Sequence, residues 1–153
     1  MKPCIIGLAI VLLFVSAAVC AAQTAHLGTW KLNEARSHFS KGASKNVIVV
    51  YETAGDEIKV TVDGVDGDGA FTHNEWTGKF DGKDYAVKGD PNTDTRAYRR
   101  LNSRTLALTN KKDGKITTTG RIVVSPNGRS RTVTTTTRDS KGSSTNIAVY
   151  DKQ

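Results

Sequence analysis

Three histidines, His26, His38 and His73, are the natural starting points for chemistry in this chain, and they are too scattered to form a metal site or a hydrolytic triad. The best acid–base pair available is His73 with Glu75. Two positions apart on an extended strand, they share one face and lie within reach of a common proton. The same spacing is the ordinary pattern of a solvent-facing strand, and that reading is preferred. The segment Asp63-Gly64-Val65-Asp66-Gly67-Asp68-Gly69 crowds carboxylates into a glycine-rich loop and invites a calcium site. An EF-hand loop requires oxygen donors at prescribed positions and a terminal bidentate Glu. Counted from Asp66, Ala70 and Thr77 fall where later donors belong, so a hairpin turn is expected instead. Neither a catalytic group, a metal site nor a cofactor is expected, and the chain is read as a non-enzyme. The side chains best suited to touching a small molecule are Tyr51, Trp76, Tyr85 and Tyr98, which combine apolar area with a hydrogen-bonding handle.

These groups must be positioned by strands. Turn signals recur at Ala54-Gly55-Asp56, Asp63 to Gly69, Asp81-Gly82-Lys83, Gly89 to Asn92, Leu101-Asn102-Ser103, Lys112-Asp113-Gly114, Pro126-Asn127-Gly128 and Ser140-Lys141-Gly142, with strand-length pieces between them. Several pieces alternate. Ile58, Val60 and Val62 share one face, as do Leu106 and Leu108, and Trp76, Gly78 and Phe80; Tyr85 with Val87 and Ile147 with Val149 also read as inward-facing sets. The piece Val47 to Tyr51 is apolar on both faces. The run Thr132 to Thr137 and its predecessor Thr117-Thr118-Thr119 favour extended structure through β-branching, and they suit either the wall of a partly polar cavity or an exposed surface. Glu34 to Lys45 is the one long irregular connection, expected to cross one end. The expected architecture is all-β, an up-and-down antiparallel barrel of about eight to ten strands.

The chain begins with Met1-Lys2-Pro3, an apolar stretch from Cys4 to Val19, and Cys20-Ala21-Ala22. This order reads as a cleavable export signal over residues 1–22, with a single barrel domain over 23–153. Val19 and Ala17 do not fit the residues that precede a lipidated cysteine, so no stable membrane anchor is expected. Both cysteines of the chain lie in the removed segment, which leaves packing alone to hold the domain. The formal charge of +7 is spread along the chain, with Lys and Arg interspersed among Asp and Glu. That distribution suits a solvated outer face better than a polyanion stripe, and export makes nucleic acid an unsuitable partner.

Gly28-Thr29-Trp30, at the start of the exported domain, resembles the Gly-x-Trp of the first strand in lipocalin and calycin proteins. The resemblance implies a lipocalin-like barrel in which Trp30 packs at the closed end under a basic side chain from a late strand, Arg121 or Arg131 here. Gly28 to Leu32 is also similar to the Gly-x-Trp-Lys-Leu opening of fatty-acid-binding proteins, and Val149-Tyr150-Asp151-Lys152 to their closing strand. That family's carboxylate-gripping Arg would fall at Ala148, and its helical pair after the first strand has no counterpart, so the fatty-acid grip does not transfer to Tyr150. As a whole the sequence most resembles small exported lipocalin-like proteins of environmental bacteria.

The expected function is that of an exported, monomeric, periplasmic or extracellular protein holding a small, mostly hydrophobic ligand. Tyr51, Val60, Trp76, Tyr85, Tyr98, Leu106, Leu108, Ile147 and Val149 are the candidate ligand-binding residues. The alternative is a filled, non-catalytic barrel that contacts another protein or a surface polymer through its loops or basic outer face.

Overall fold

A computed structural model describes residues 25–140 and 142–153; the expected export signal lies outside them. Ten strands follow one another: β1 (Gly28–Leu32), β2 (Lys45–Ala54), β3 (Glu57–Val65), β4 (Phe71–Gly78), β5 (Tyr85–Lys88), β6 (Thr95–Asn102), β7 (Thr105–Lys112), β8 (Lys115–Val124), β9 (Ser130–Asp139) and β10 (Gly142–Lys152). Each pairs antiparallel with its neighbours in sequence, and β1 pairs with β10 as well as β2, so the meander closes into a barrel. Among the described residues every strand is paired on both sides, which limits the edge along which another strand could add.

The alternation read from the sequence sets the faces. Along β3, Ile58, Val60 and Val62 are buried while Lys59, Thr61 and Asp63 are partly exposed. Leu106 and Leu108 face inward on β7, and Val49 and Tyr51 are the inward set of β2, whose two apolar faces left the choice open. Outside, ion pairs tie neighbouring segments, Lys59 of β3 with Glu75 of β4 and Lys111 of β7 with Asp84 just before β5.

One strand runs in the opposite phase to expectation. On β10 the inward residues are Asn146, Ala148 and Tyr150, whereas Ile147 is 39% exposed and faces out. Val149 shares the outer face with Ile147 and is covered by the connection after β1: its N–H donates to Ser37 Oγ and its carbonyl accepts from Asn33 N. Because side chains alternate strictly, a reading one residue out of phase inverts the whole strand. Two β-branched residues at alternate positions look like a core face, although here Val149 is covered from outside and Ile147 is exposed.

The connection itself does not cross an end as a lid. After a single 3-10 turn, Glu34–Arg36, it continues the β1 side of the β10 seam through a bridge between His38 and Ile147. Only Ser40 to Ser44 reaches the rim. The barrel seam is shortest at β5, which shares two residue pairs with each neighbour. Below it, Phe80 and Gly82 bond directly to β6, through Arg100 N to Phe80 O and Gly82 N to Tyr98 O. Gly78 belongs to this crowded corner, since a Cβ there would lie within 2.8 Å of the Tyr85 ring and Trp76.

Candidate functional site: a cavity above an aromatic floor

The two ends of the barrel differ. At the end that carries His26 and Lys152, Trp30, Tyr51, Trp76, Phe80, Tyr98 and Tyr150 fill the interior. Trp76 stacks on Phe80 and meets Tyr98 edge-on, at 4.8 Å between ring centres, and its indole N–H donates to the Arg96 carbonyl at 2.8 Å. Trp30 donates to the His26 carbonyl at 2.9 Å. The Arg131 guanidinium lies 4.8 Å from the Trp30 ring, 4.9 Å from Tyr51 and 4.8 Å from Tyr150. Lys152 Nζ approaches Trp30 at 5.3 Å. Cations on ring faces are stabilised by the ring quadrupole, the more so when desolvated. Of the two arginines named from the sequence, Arg131 takes this position; Arg121 is exposed.

Above this floor a cavity of about 790 Å³ opens toward the end that carries the β5–β6 and β9–β10 turns and the rim segment Ser40–Ser44. A volume of that order accepts a small organic molecule. One part of its wall is apolar, with Val49, Val62, Leu108, Ile122 and Val133. The rest is polar. Thr135 and Thr137 of β9 and Thr118 of β8 face in, so the threonine run lines the cavity with alternate residues, and Thr118 Oγ1 and Thr137 Oγ1 are 3.1 Å apart. The wall is thus less apolar than the expected hydrophobic pocket.

Two buried arginines line the cavity, Arg131 at the floor and Arg96 in the side wall. Though only 6% exposed, Arg96 donates through Nε to Asn110 Oδ1 at 3.0 Å and through Nη1 to Asn74 Oδ1 at 3.3 Å. Burial, the nearby Tyr98 and its hydroxyl push the Tyr51 phenol well above its ordinary range, against the opposing pull of Arg131 and Arg96. Burial likewise raises Tyr150 to about 12, and its hydroxyl donates to the Asn46 carbonyl at 3.0 Å. These phenols are therefore protonated hydrogen-bonding groups at neutral pH. On the floor, burial first and then Arg131, Arg100 and Lys152 lower His26 to about 4, so it is neutral.

Of the nine residues singled out from the sequence, Tyr51, Tyr98 and Leu108 line the cavity. Val60, Trp76 and Leu106 are buried in the packed core. Tyr85 packs edge-on against Trp76 and donates from its hydroxyl to Asp81 at 2.9 Å; Ile147 and Val149 occupy the outer face of β10. His73 is also on the outside, 2.6 Å from Asp63 and 4.0 Å from Glu75. In the carboxylate-rich loop, Asp66 Oδ1 accepts from Asp68 N and Ala70 N, as a turn-capping aspartate does.

Sequence reasoning missed Arg96, Asn74 and Asn110. The signal was present, since Arg96 is in phase with Tyr98 and Asn74 with Trp76, but a polar residue in an inward phase reads as a strand end when its partners are on other strands. Neither the models of known protein families nor the curated proteins compared with the chain give a match.

Proposed function

We propose that this chain is an exported, monomeric binding protein with a lipocalin-like barrel, which holds a small molecule in the open half of its interior. The observation that carries the reading is the division of the interior into a packed aromatic floor and a cavity of about 790 Å³. A barrel of this size needs side chains across its whole interior to be solid, and threonines along β9 are too small to fill the upper half. Binding rather than catalysis is our reading because the wall offers hydrogen-bond donors and apolar contacts, with its tyrosines protonated. The ligand is amphipathic. It meets valine, leucine and isoleucine on one side and threonine, asparagine and tyrosine on the other.

Kinship with the lipocalin-like proteins rests on Gly28-Thr29-Trp30 in the first strand, the Arg131 side chain stacked on Trp30, and up-and-down closure. The paired charges of the outer face give less support to a surface-polymer reading, because lysines already engaged by carboxylates, such as Lys59 and Lys79, lose part of their attraction for a polyanion. Native mass spectrometry of the protein purified from its own host, before and after denaturing extraction, tests the proposal. A stoichiometric small molecule in the native spectrum is expected. An empty protein that also takes up no apolar or amphipathic dye would refute it.

A further inference from the structure

The interior carries positive charge that no acid among the described residues offsets inside the barrel. Arg96 and Arg131 are 6% and 2% exposed, and the polar partners of Arg96 are the neutral amide oxygens of Asn74 and Asn110. Nε and Nη1 of Arg131 have no hydrogen-bond partner among the described residues, and its guanidinium lies against three aromatic rings. The acids that line the cavity are at its mouth, Asp90 in the β5–β6 turn and Asp139 at the last position of β9. Glu75, beside Asn74 in the chain, is on the outer face and engaged by Lys59. Buried charges are ordinarily matched by an opposite charge, because the desolvation cost is otherwise uncompensated. Here both guanidinium charges act on one point inside the barrel, the Tyr51 hydroxyl.

We infer that the cavity selects a small organic anion, whose carboxylate or phosphate group is seated at Arg96 between Asn74 and Asn110. The inference rests on the container reading above and adds the charge of the ligand. Charge-assisted hydrogen bonds from a guanidinium to an oxyanion are about twice as strong as those to a neutral oxygen, so the anion supplies what the two asparagines do not. Asn74 and Asn110 hold the guanidinium plane while leaving its charge uncancelled. Arg131 adds to the field from the floor, and the threonine wall accommodates the polar remainder of the ligand.

Two dyes that differ by one group test this on the intact chain: anilinonaphthalene sulfonate and phenylnaphthylamine, the same skeleton without the sulfonate. Binding is read by dye fluorescence, and dye held on the outer surface is recognised as the signal that persists in Thr135→Trp, whose indole fills the cavity. The sulfonate is expected to bind at one site about ten- to hundredfold more tightly than the neutral dye. Arg96→Gln should abolish that preference and leave the neutral dye's affinity unchanged, while Arg121→Gln on the outer face changes neither.

Equal affinity of the two dyes for the unaltered protein overturns the inference and leaves the container reading intact, whether or not Arg96→Gln folds. A sulfonate preference that persists in folded Arg96→Gln overturns it too. Failure of both dyes to bind counts against the container itself. Competition by benzoate and phenyl phosphate, with benzyl alcohol as the neutral counterpart, distinguishes carboxylate from phosphate. Displacement by one acid identifies the headgroup, and displacement by the alcohol as effective as by either acid contradicts the proposed seat.

Discussion

Trp76 discriminates between packed floor and ligand wall, because removing it has opposite consequences in the two cases. Its side chain is 1% exposed, stacked on Phe80, edge-on to Tyr98 and Tyr85, and donates to the Arg96 carbonyl. Truncating a buried Trp to Ala costs about 3–5 kcal/mol in lost transfer energy and cavity. The orphaned Arg96 carbonyl adds about 1 kcal/mol. For a domain of this length each kcal/mol lowers Tm by roughly 3–5 °C, so Trp76→Ala should lower it by about 12–30 °C. Differential scanning calorimetry of the variant measures the loss, and dye titration at a temperature where it remains folded measures binding. The floor assignment predicts a large fall in Tm with binding weakened only secondarily. A Tm within 2–3 °C of the parent, accompanied by lost binding, would refute the assignment, since a wall residue can be removed more cheaply than a floor residue.

His26 supplies a pH-dependent prediction. Its pKa is lowered in the folded protein from 6.5 to about 4, so the unfolded chain binds the extra proton first as pH falls. The associated stability is fully present above pH 6.5 and is lost progressively toward pH 4, about 3 kcal/mol in all; thermal melts across that window should show it, and His26→Phe should flatten the slope. At the rim, a Cβ on Gly67 would run into the Gly42 carbonyl oxygen. Gly67→Ala should therefore displace the Ser40–Ser44 segment and change dye dissociation rates in stopped flow, with Tm altered far less than in Trp76→Ala. Thr135→Trp, which projects into the cavity, should abolish dye binding while the protein still melts cooperatively; unchanged affinity would mean that the dye binds elsewhere.

The barrel was legible because its signals are local. Asp-Gly and Asn-Gly turns fix where the chain reverses, and alternation such as Ile58, Val60 and Val62 fixes which face is buried. Even Trp30 and its cation could be anticipated from a short motif, although only the register Arg131↔Tyr150 brings that arginine, rather than Arg121, to the interior. The site was less legible because it is made of cross-strand relations. Asn74, Arg96 and Asn110 come from β4, β6 and β7, and none is distinctive alone. Ile147 and Val149 misled because an apolar pair on the outer face, with only Val149 covered by the segment after β1, has the same alternation as a core face. The threonine run was ambiguous for a related reason: β-branching specifies a strand, whereas only the barrel's closure decides which threonines line its interior.

The central claim is that the ligand sits inside the upper barrel, and methyl-resolved NMR tests it most directly. The protein would be titrated with the small molecule recovered from its host, or with anilinonaphthalene sulfonate in its place. The account predicts shifts in the methyls of Val62, Leu108, Ile122 and Val133, which line the cavity, with those of the exposed Val123 and Ile147 unmoved. Shifts confined to Val123, Ile147 and other outward residues, with the interior methyls unchanged, would contradict it.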